Sequence, residues 1–177
     1  MHRNNLLDLL NSYEGEPEAK NKIIAFVKAN SDCFERSNTY GHITSSSWLL
    51  SNDLRKVLLT HHRKLDKWLQ PGGHCDGESD VPASALREAV EESGIDKWEF
   101  LTEEIFDLDV HLIPARKEDP EHFHFDVRFV FRATASEDYI VSEESHDLAW
   151  VPLTEVLSYT DEESILRMVE KSKKFIS

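Results

Sequence analysis

Gly72-Gly73-His74-Cys75-Asp76-Gly77-Glu78, separated by eight residues from Arg87-Glu88-Ala89-Val90-Glu91-Glu92-Ser93-Gly94-Ile95, joins a glycine-rich turn to a helix with a dense acidic edge. At 3.6 residues per turn, Glu88, Glu91 and Glu92 stand at i, i+3 and i+4, so the three carboxylates project from one side of that helix. Leu86, Ala89, Val90 and Ser93 fall on the other side. Like charges stacked this way destabilise an isolated helix by about 0.2–0.5 kcal/mol per pair, so the pattern calls for a compensating cation. Hard oxygen donors with no cysteine or histidine on the same arc suit Mg2+ or Mn2+ better than Zn2+. Ser79 and Asp80 are N-cap candidates, Pro82 fits a first turn, and Gly94 followed by Ile95 has the form of a glycine C-cap. The spacing therefore predicts a helix over 81–93. Glu-x-x-Glu-Glu alone is also the pattern of a surface helix with a solvated acidic face; the glycine turn before it tips the reading toward metal and phosphate.

The 177 residues, 40% hydrophobic, suffice for one domain with a real core. Asp and Glu number 34 against 20 Lys and Arg, a formal charge of -14, which argues against an extended nucleic-acid surface or an anionic membrane as partner. A polyphosphate substrate has to arrive with metal. Cys33 and Cys75 are too few for a secreted disulfide framework, and no apolar run approaches the roughly 20 residues of a membrane span. Met1-His2-Arg3-Asn4-Asn5 lacks a signal-peptide apolar region, which predicts a cytoplasmic location.

Outward from the turn, Gly41–Leu50 and Lys56–His61 read as two strands joined by the polar turn Ser51–Arg55, and Trp68-Leu69-Gln70-Pro71 leads into the glycines. Residues from Trp98 to Leu112 suggest a further strand or pair, and Pro114–Glu121 a charged loop. The most regular strand is His122–Arg132, where Phe123, Phe125, Val127, Phe129 and Phe131 alternate with His122, His124, Asp126, Arg128, Val130 and Arg132. One face is read as core and the other as polar, lining a cleft. Asp147–Val151 reads as a short strand; Leu153–Val156 and Asp161–Phe175 read as terminal helix. Leu6–Leu10 and Glu18–Asn30 read as two amphipathic helices separated by Gly15 and Pro17. They make an N-terminal helical extension over 1–33, ahead of a core domain over 34–177. Its role is open between covering the cleft, capping the sheet and mediating a homodimer. Strands and helices mixed in this order predict an α/β sandwich.

The segment from Gly73 to Ile95 resembles the Nudix box of MutT-like hydrolases: Gly, five residues, Glu, seven residues, then Arg-Glu-apolar-x-Glu-Glu-x-Gly-apolar. The second half matches at every defined position, with Ala89 as the apolar residue. In the first half Glu78 follows Gly73 after four residues rather than five, and eight rather than seven separate it from Arg87. The differences cancel, so a rearranged turn feeds an unaltered helix. The resemblance implies a mixed sheet between helices, an α/β/α sandwich. It also implies a metal-dependent pyrophosphohydrolase that cleaves the diphosphate linkage of a nucleotide or nucleoside diphosphate derivative. Glu88, Glu91 and Glu92 would be metal ligands for Mg2+ or Mn2+, and the Gly72 carbonyl a further one. Arg87 would hold a carboxylate in orientation, and Gly73, Glu78 and Gly94 would brace the motif, Glu78 in the family typically meeting the arginine.

A general base is assigned to Glu144, in Ser142-Glu143-Glu144-Ser145-His146, with Glu143 as its competitor. His74, His122, His124 and Arg128 are candidate substrate contacts. His74, Cys75, His122 and His124 also contain softer ligands for a zinc site, though no Cys-x-x-Cys or His-x-x-x-His spacing supports one. Two other functions stay open. One is an isopentenyl-diphosphate isomerase-like enzyme using a cysteine and a glutamate, and the other a catalytically silent nucleotide-binding Nudix module. No sequence marker selects among small diphosphate substrates.

Overall fold

All ten residues of β1 (Gly41–Leu50) are buried, because the strand is covered on both faces and paired on both edges. A computed structural model describes residues 2–116, 120–143 and 145–176. Along one edge β1 runs parallel to β7 (His122–Ala133), in continuous register from Gly41 opposite Phe123 to Leu50 opposite Arg132. Along the other edge its partners divide. β4 (Gly72–His74) covers Thr44, Ser45 and Ser46, and β2 (Lys56–His62) covers Leu49 and Leu50. β2 continues to β3 (Lys67–Leu69) and β8 (Ser145–Pro152), while β7 carries β5 (Trp98–Phe100) and β6 (Asp107–Ile113). Every pairing except β1 with β7 is antiparallel, so the eight-stranded sheet is mixed.

Helices cover both faces. On one side α1 (Asn4–Ser12), α2 (Pro17–Ala29) and α3 (Val81–Ser93) share a core with Ile43, Leu49, Phe125, Val127, Phe129 and Phe131. On the other, α4 (Glu163–Ser172) brings Ile165 and Met168 onto Trp48, Leu50, Val57, Leu59 and Val130. This is the α/β/α sandwich expected. β7 departs from the simple alternation, since Asp126, Arg128 and Val130 are about as buried as Val127 and Phe129 between them. A central strand of a two-sided sandwich has no solvent face, whatever its polarity pattern. β3 and β4 escape the sequence reading because three-residue strands are too short for a periodic signal, and the two glycines of β4 favour turns. The Trp98–Leu112 segment resolves into the pair β5 and β6; residues 117–119 of the charged loop lie outside the described residues. No helix among the described residues is long and apolar enough to cross a membrane.

The N-terminal helices join the sheet's own core rather than forming a separate one. Phe26 stacks on Phe125 with centroids 4.1 Å apart, and Leu6, Leu10, Ile23 and Val27 are fully or almost fully buried beside it. Arg3 caps α2 by donating to the carbonyls of Val27 at 2.6 Å and Asn30 at 3.1 Å. The connection between α1 and α2 is fixed by Lys171 of α4, which donates to Tyr13 Oη at 2.8 Å and to carboxylate oxygens of Glu16 and Asp107, each at 2.6 Å. Burial would raise the Glu16 pKa, but hydrogen bonds from Lys171 and Tyr13 outweigh it and hold the carboxyl below its ordinary value of 4.5. The stabilisation is therefore complete above about pH 4.5 and is lost as pH falls through the lowered folded value. Urea denaturation is expected to show Glu16→Gln less stable than wild type at neutral pH, with the difference shrinking as pH falls below the ordinary value of 4.5.

Candidate metal and diphosphate site

Asp80 caps α3, its Oδ1 accepting from Ala83 N at 3.1 Å, and Gly94 ends it at φ 69°, a left-handed position that glycine occupies without strain. Two serines of β1 fix the helix laterally. Ser45 Oγ donates to the Val81 carbonyl at 2.8 Å and Ser47 Oγ to the Ala85 carbonyl at 2.6 Å. Such short side chains let the backbone of α3 sit close to the sheet. The second half of the helix then meets β4. Gly72 N–H donates to Glu92 Oε1 at 2.7 Å, and a Cβ built on Gly73 would stand 2.5 Å from Glu88 Oε2. Glycine at 73 leaves room for the Glu88 carboxylate, which occupies the volume where a side chain would start.

Arg87 draws the pieces together. Its Nη2 donates to the His74 carbonyl at 2.9 Å, and Nη1 lies 2.8 Å from Glu88 Oε1 and 3.2 Å from Glu91 Oε2. The guanidinium thus meets two carboxylates and stitches α3 to β4. Glu92 is 7% exposed and held by a main-chain donor, while Glu91 is 58% exposed along its side chain. Glu92 at Gly72, Glu88 at Gly73 and Glu91 at Arg87 offer carboxylate oxygens, the kind of donor a hard divalent cation takes.

Glu78 takes a different place from the brace expected of it. Asp76 and Gly77 both have positive φ, and Glu78 N donates to the Cys75 carbonyl at 2.9 Å, the pattern of a type I′ turn. The tight turn delivers the Glu78 carboxylate to Asp80 N at 2.9 Å, ahead of α3, whereas Arg87 is engaged by Glu88, Glu91 and His74. Asp76 pairs with Arg36, whose Nη2 donates to it at 2.8 Å. Gly72, expected as a metal ligand through its carbonyl, meets α3 through its N–H.

Arg128 does not line a cleft. It is 2% exposed, and Nε, Nη1 and Nη2 reach Asp126 at 2.7 Å, Asp107 at 3.2 Å and Asp109 at 3.3 Å. Asp126 also accepts from Thr44 and Ser46, and Asp107 from Arg167 and Lys171. With its three nitrogens taken by aspartates inside the sandwich, Arg128 is a structural hub rather than a substrate contact. Glu144 lies outside the described residues; Glu143, its competitor as base, is exposed.

His74, His122 and His124 do come together, and the sequence reading missed two residues that join them. His42 on β1 and His111 on β6 lie on the same sheet face. Parallel pairing sets His42 opposite His124, and antiparallel pairing sets His111 opposite His124 from the other edge. Burial is the main reason that His124 is pushed down to about 2 and His74 to about 4, neighbouring positive charge adding to it. Both imidazoles are neutral at physiological pH and would meet a phosphate as hydrogen-bonding groups, not as counter-charges. Cys75 belongs instead to the apolar core under α1 and α3, where burial pushes its thiol up to about 12. It joins no histidine site among the described residues.

A family model described as the NUDIX domain matches residues 42–172, which spans both the glutamate helix and the strands that position it. The chain belongs to the Nudix family. Among solved structures, a C. elegans Ap4A hydrolase binary complex is similar at 18% identity and TM-score 0.60, over 76% of this chain and 96% of that one. A MutT protein from Methanosarcina mazei Go1 is similar at 18% identity and TM-score 0.55, over 76% and 94%. The Nudix domain of Shewanella oneidensis NrtR, complexed with ADP ribose, gives 20% identity and TM-score 0.51 over 76% and 88%. No curated protein sequence matches. Membership of the Nudix family makes the chain a hydrolase acting on acid anhydrides.

The Nudix cradle generates its own test. Gly73→Ala has to displace only the far end of the flexible Glu88 side chain, so the fold tolerates it while the carboxylate moves. Thermal melting is expected to change little, whereas hydrolysis falls about 10–100-fold, the scale of disturbing a metal ligand's surroundings.

Proposed function

We propose that this Nudix hydrolase is a Mg2+- or Mn2+-dependent pyrophosphohydrolase that cleaves the diphosphate linkage of a small nucleotide or nucleoside diphosphate derivative. The observation that carries the reading is Glu92 on the Gly72 N–H and Glu88 against Gly73, with Arg87 joining Glu88 to Glu91. Glu88, Glu91 and Glu92 hold the cation, with the Gly72 carbonyl as a further oxygen donor. When bound, the cation neutralises diphosphate charge and acidifies a water.

The chain's own groups supply order. Glu92, buried and bonded by the Gly72 N–H, keeps one donor fixed, so no reorganisation is needed as charge develops on the leaving phosphate. Arg87 prevents Glu88 and Glu91 from separating under mutual repulsion. In the hydrolytic step a water oxygen bonds to phosphorus, the P–O bond of the bridge breaks, and the water proton passes to a carboxylate that we assign to Glu144. The similar structures support the substrate class: one is an Ap4A hydrolase and another is complexed with ADP ribose, and Ap4A and ADP ribose are small molecules that share a phosphoanhydride.

The test incubates the protein and Mg2+ with a panel of nucleoside diphosphate derivatives, nucleoside triphosphates and isopentenyl diphosphate, with products separated by chromatography. Phosphate-containing fragments are expected from one or more nucleotides. Glu91→Gln and Glu92→Gln should each lower turnover by about a hundredfold or more, beyond the ~10–100-fold typical of outer-shell losses, with melting preserved. Glu144→Gln should depress turnover and Glu143→Gln should not. Unchanged turnover in both helix variants would sink the hydrolase reading. Isomer without phosphate release would favour the isomerase, and binding without turnover the silent module.

A further inference from the structure

The Nudix glutamates use hard oxygen donors on one side of the sheet, yet the opposite face carries a second concentration of potential ligands. His42, His74 and His124 come from β1, β4 and β7, and one ligand atom from each lies within 4.8 Å of the others. Ring centroids are 4.9 Å apart for His42 and His74, 5.0 Å for His42 and His124, and 5.1 Å for His74 and His124. His122 Nε2 stands 3.2 Å from His124 Nε2, and His111 Nδ1 stands 3.1 Å from Asp109 Oδ2. Two further imidazoles and a carboxylate therefore back the three.

His42 points independently to a ligand. It is 3% exposed, burial holds its pKa below the ordinary value, and neither ring nitrogen has a partner at full hydrogen-bonding geometry, a looser contact with the Asn38 main chain opposing the effect of burial. A buried polar group left in that state costs about 1–3 kcal/mol, which sheet proteins avoid by pairing it. No carboxylate or alcohol from the neighbouring strands takes the role. The ring faces His74, His122 and His124. A cation among them turns the unpaired nitrogen into a ligand atom.

We propose that His42, His74 and His124 form a second metal centre, distinct from the glutamate helix, which takes a divalent cation of the zinc class. Imidazole suits zinc and its neighbours in the d-block, whereas carboxylate, carbonyl and water suit magnesium and manganese, so the two sites select different ions. Burial supports this by keeping the imidazoles in the neutral form that ligates. A tetrahedral zinc with bonds of about 2.0–2.1 Å sets its nitrogens about 3.3 Å apart, a contraction within reach of side-chain rotation. Three protein ligands leave a fourth position for water or for His122. The ion would pin β4 to β1 and β7, and through the His74 carbonyl it would steady the strand that Arg87 and Glu88 rest on.

The experiment uses the full chain, stripped of metal with a chelator and titrated with Zn2+ in excess Mg2+, free zinc being followed with a chromophoric chelator. About one equivalent bound at submicromolar affinity is expected, as for protein zinc sites that release protons little on binding. His42→Leu and His74→Leu should each lose about a hundredfold or more in affinity, beyond the effect of an outer-shell change. Co2+ in place of zinc should give visible absorption of four-coordinate intensity. The double variant Glu91→Gln, Glu92→Gln should keep the equivalent. Circular dichroism checks folding; His74, which is half-buried, remains informative if the more buried His42 variant unfolds. Absence of stoichiometric zinc in the wild-type chain overturns the proposal. So does zinc lost from the glutamate variant and kept by the histidine variants. Neither result bears on hydrolysis at the glutamates, which is read separately by turnover with Mg2+.

Discussion

Two serine hydroxyls hold α3 to the sheet, and the candidate site depends on how closely they do so. Ser45 and Ser47 bond to carbonyls one turn apart on α3, fixing both its distance from β1 and its rotation about its axis. From that attachment the rest follows: Glu92 reaches the Gly72 N–H, Glu88 fills the space above Gly73, and Arg87 meets the His74 carbonyl. A larger residue at either serine would lift the helix. The carboxylates would remain on its acidic side but lose the strand that arranges them.

The opposite face of the same strands solves a different problem. Moving along β1 and β7 from their shared start, the inward groups change from histidine, to Thr44 and Asp126, to Ser46 and Arg128, and then to Trp48 and Val130. The middle of this gradient is a buried charge network. Asp107, fully buried, is met by Arg128, Arg167 and Lys171, so β6, β7 and α4 are tied by one carboxylate. Removing one member of such a network leaves its partners buried and uncompensated, a loss of about 3–5 kcal/mol. Its value lies in specification, because Lys171 also fixes Tyr13 and Glu16 and so sets where the N-terminal helices lie. Beyond the charges, the apolar end closes over α4.

Legibility in the sequence differed from part to part for physical reasons. The helix over 81–93 was read to the residue, with Asp80 and Gly94 at its ends, because caps and 3.6-residue spacing are properties of contiguous chain. β1 and the long strand from His122 were visible for the same reason. β4 was not, since its three residues carry two glycines and acquire strand geometry only from pairing with β1. Arg128 was read as facing a cleft because alternation on a strand distinguishes two faces without saying what covers each. Glu78 was read as a brace from motif position, whereas the Asp76-Gly77 turn sends it to Asp80. His42 and His111 passed unnoticed, each an isolated histidine on its own strand.

The sequence by itself determined that three glutamates share one side of a capped helix after a glycine turn, and with that the family and the class of reaction. Helical phase needs nothing beyond residues within a turn of one another. Only the tertiary structure decided which groups those glutamates meet, that Arg128 is enclosed, and that five histidines gather on one face. Thr44 and Asp126, bonded across 82 positions, show why: such meetings depend on the register between distant strands, which no local period encodes.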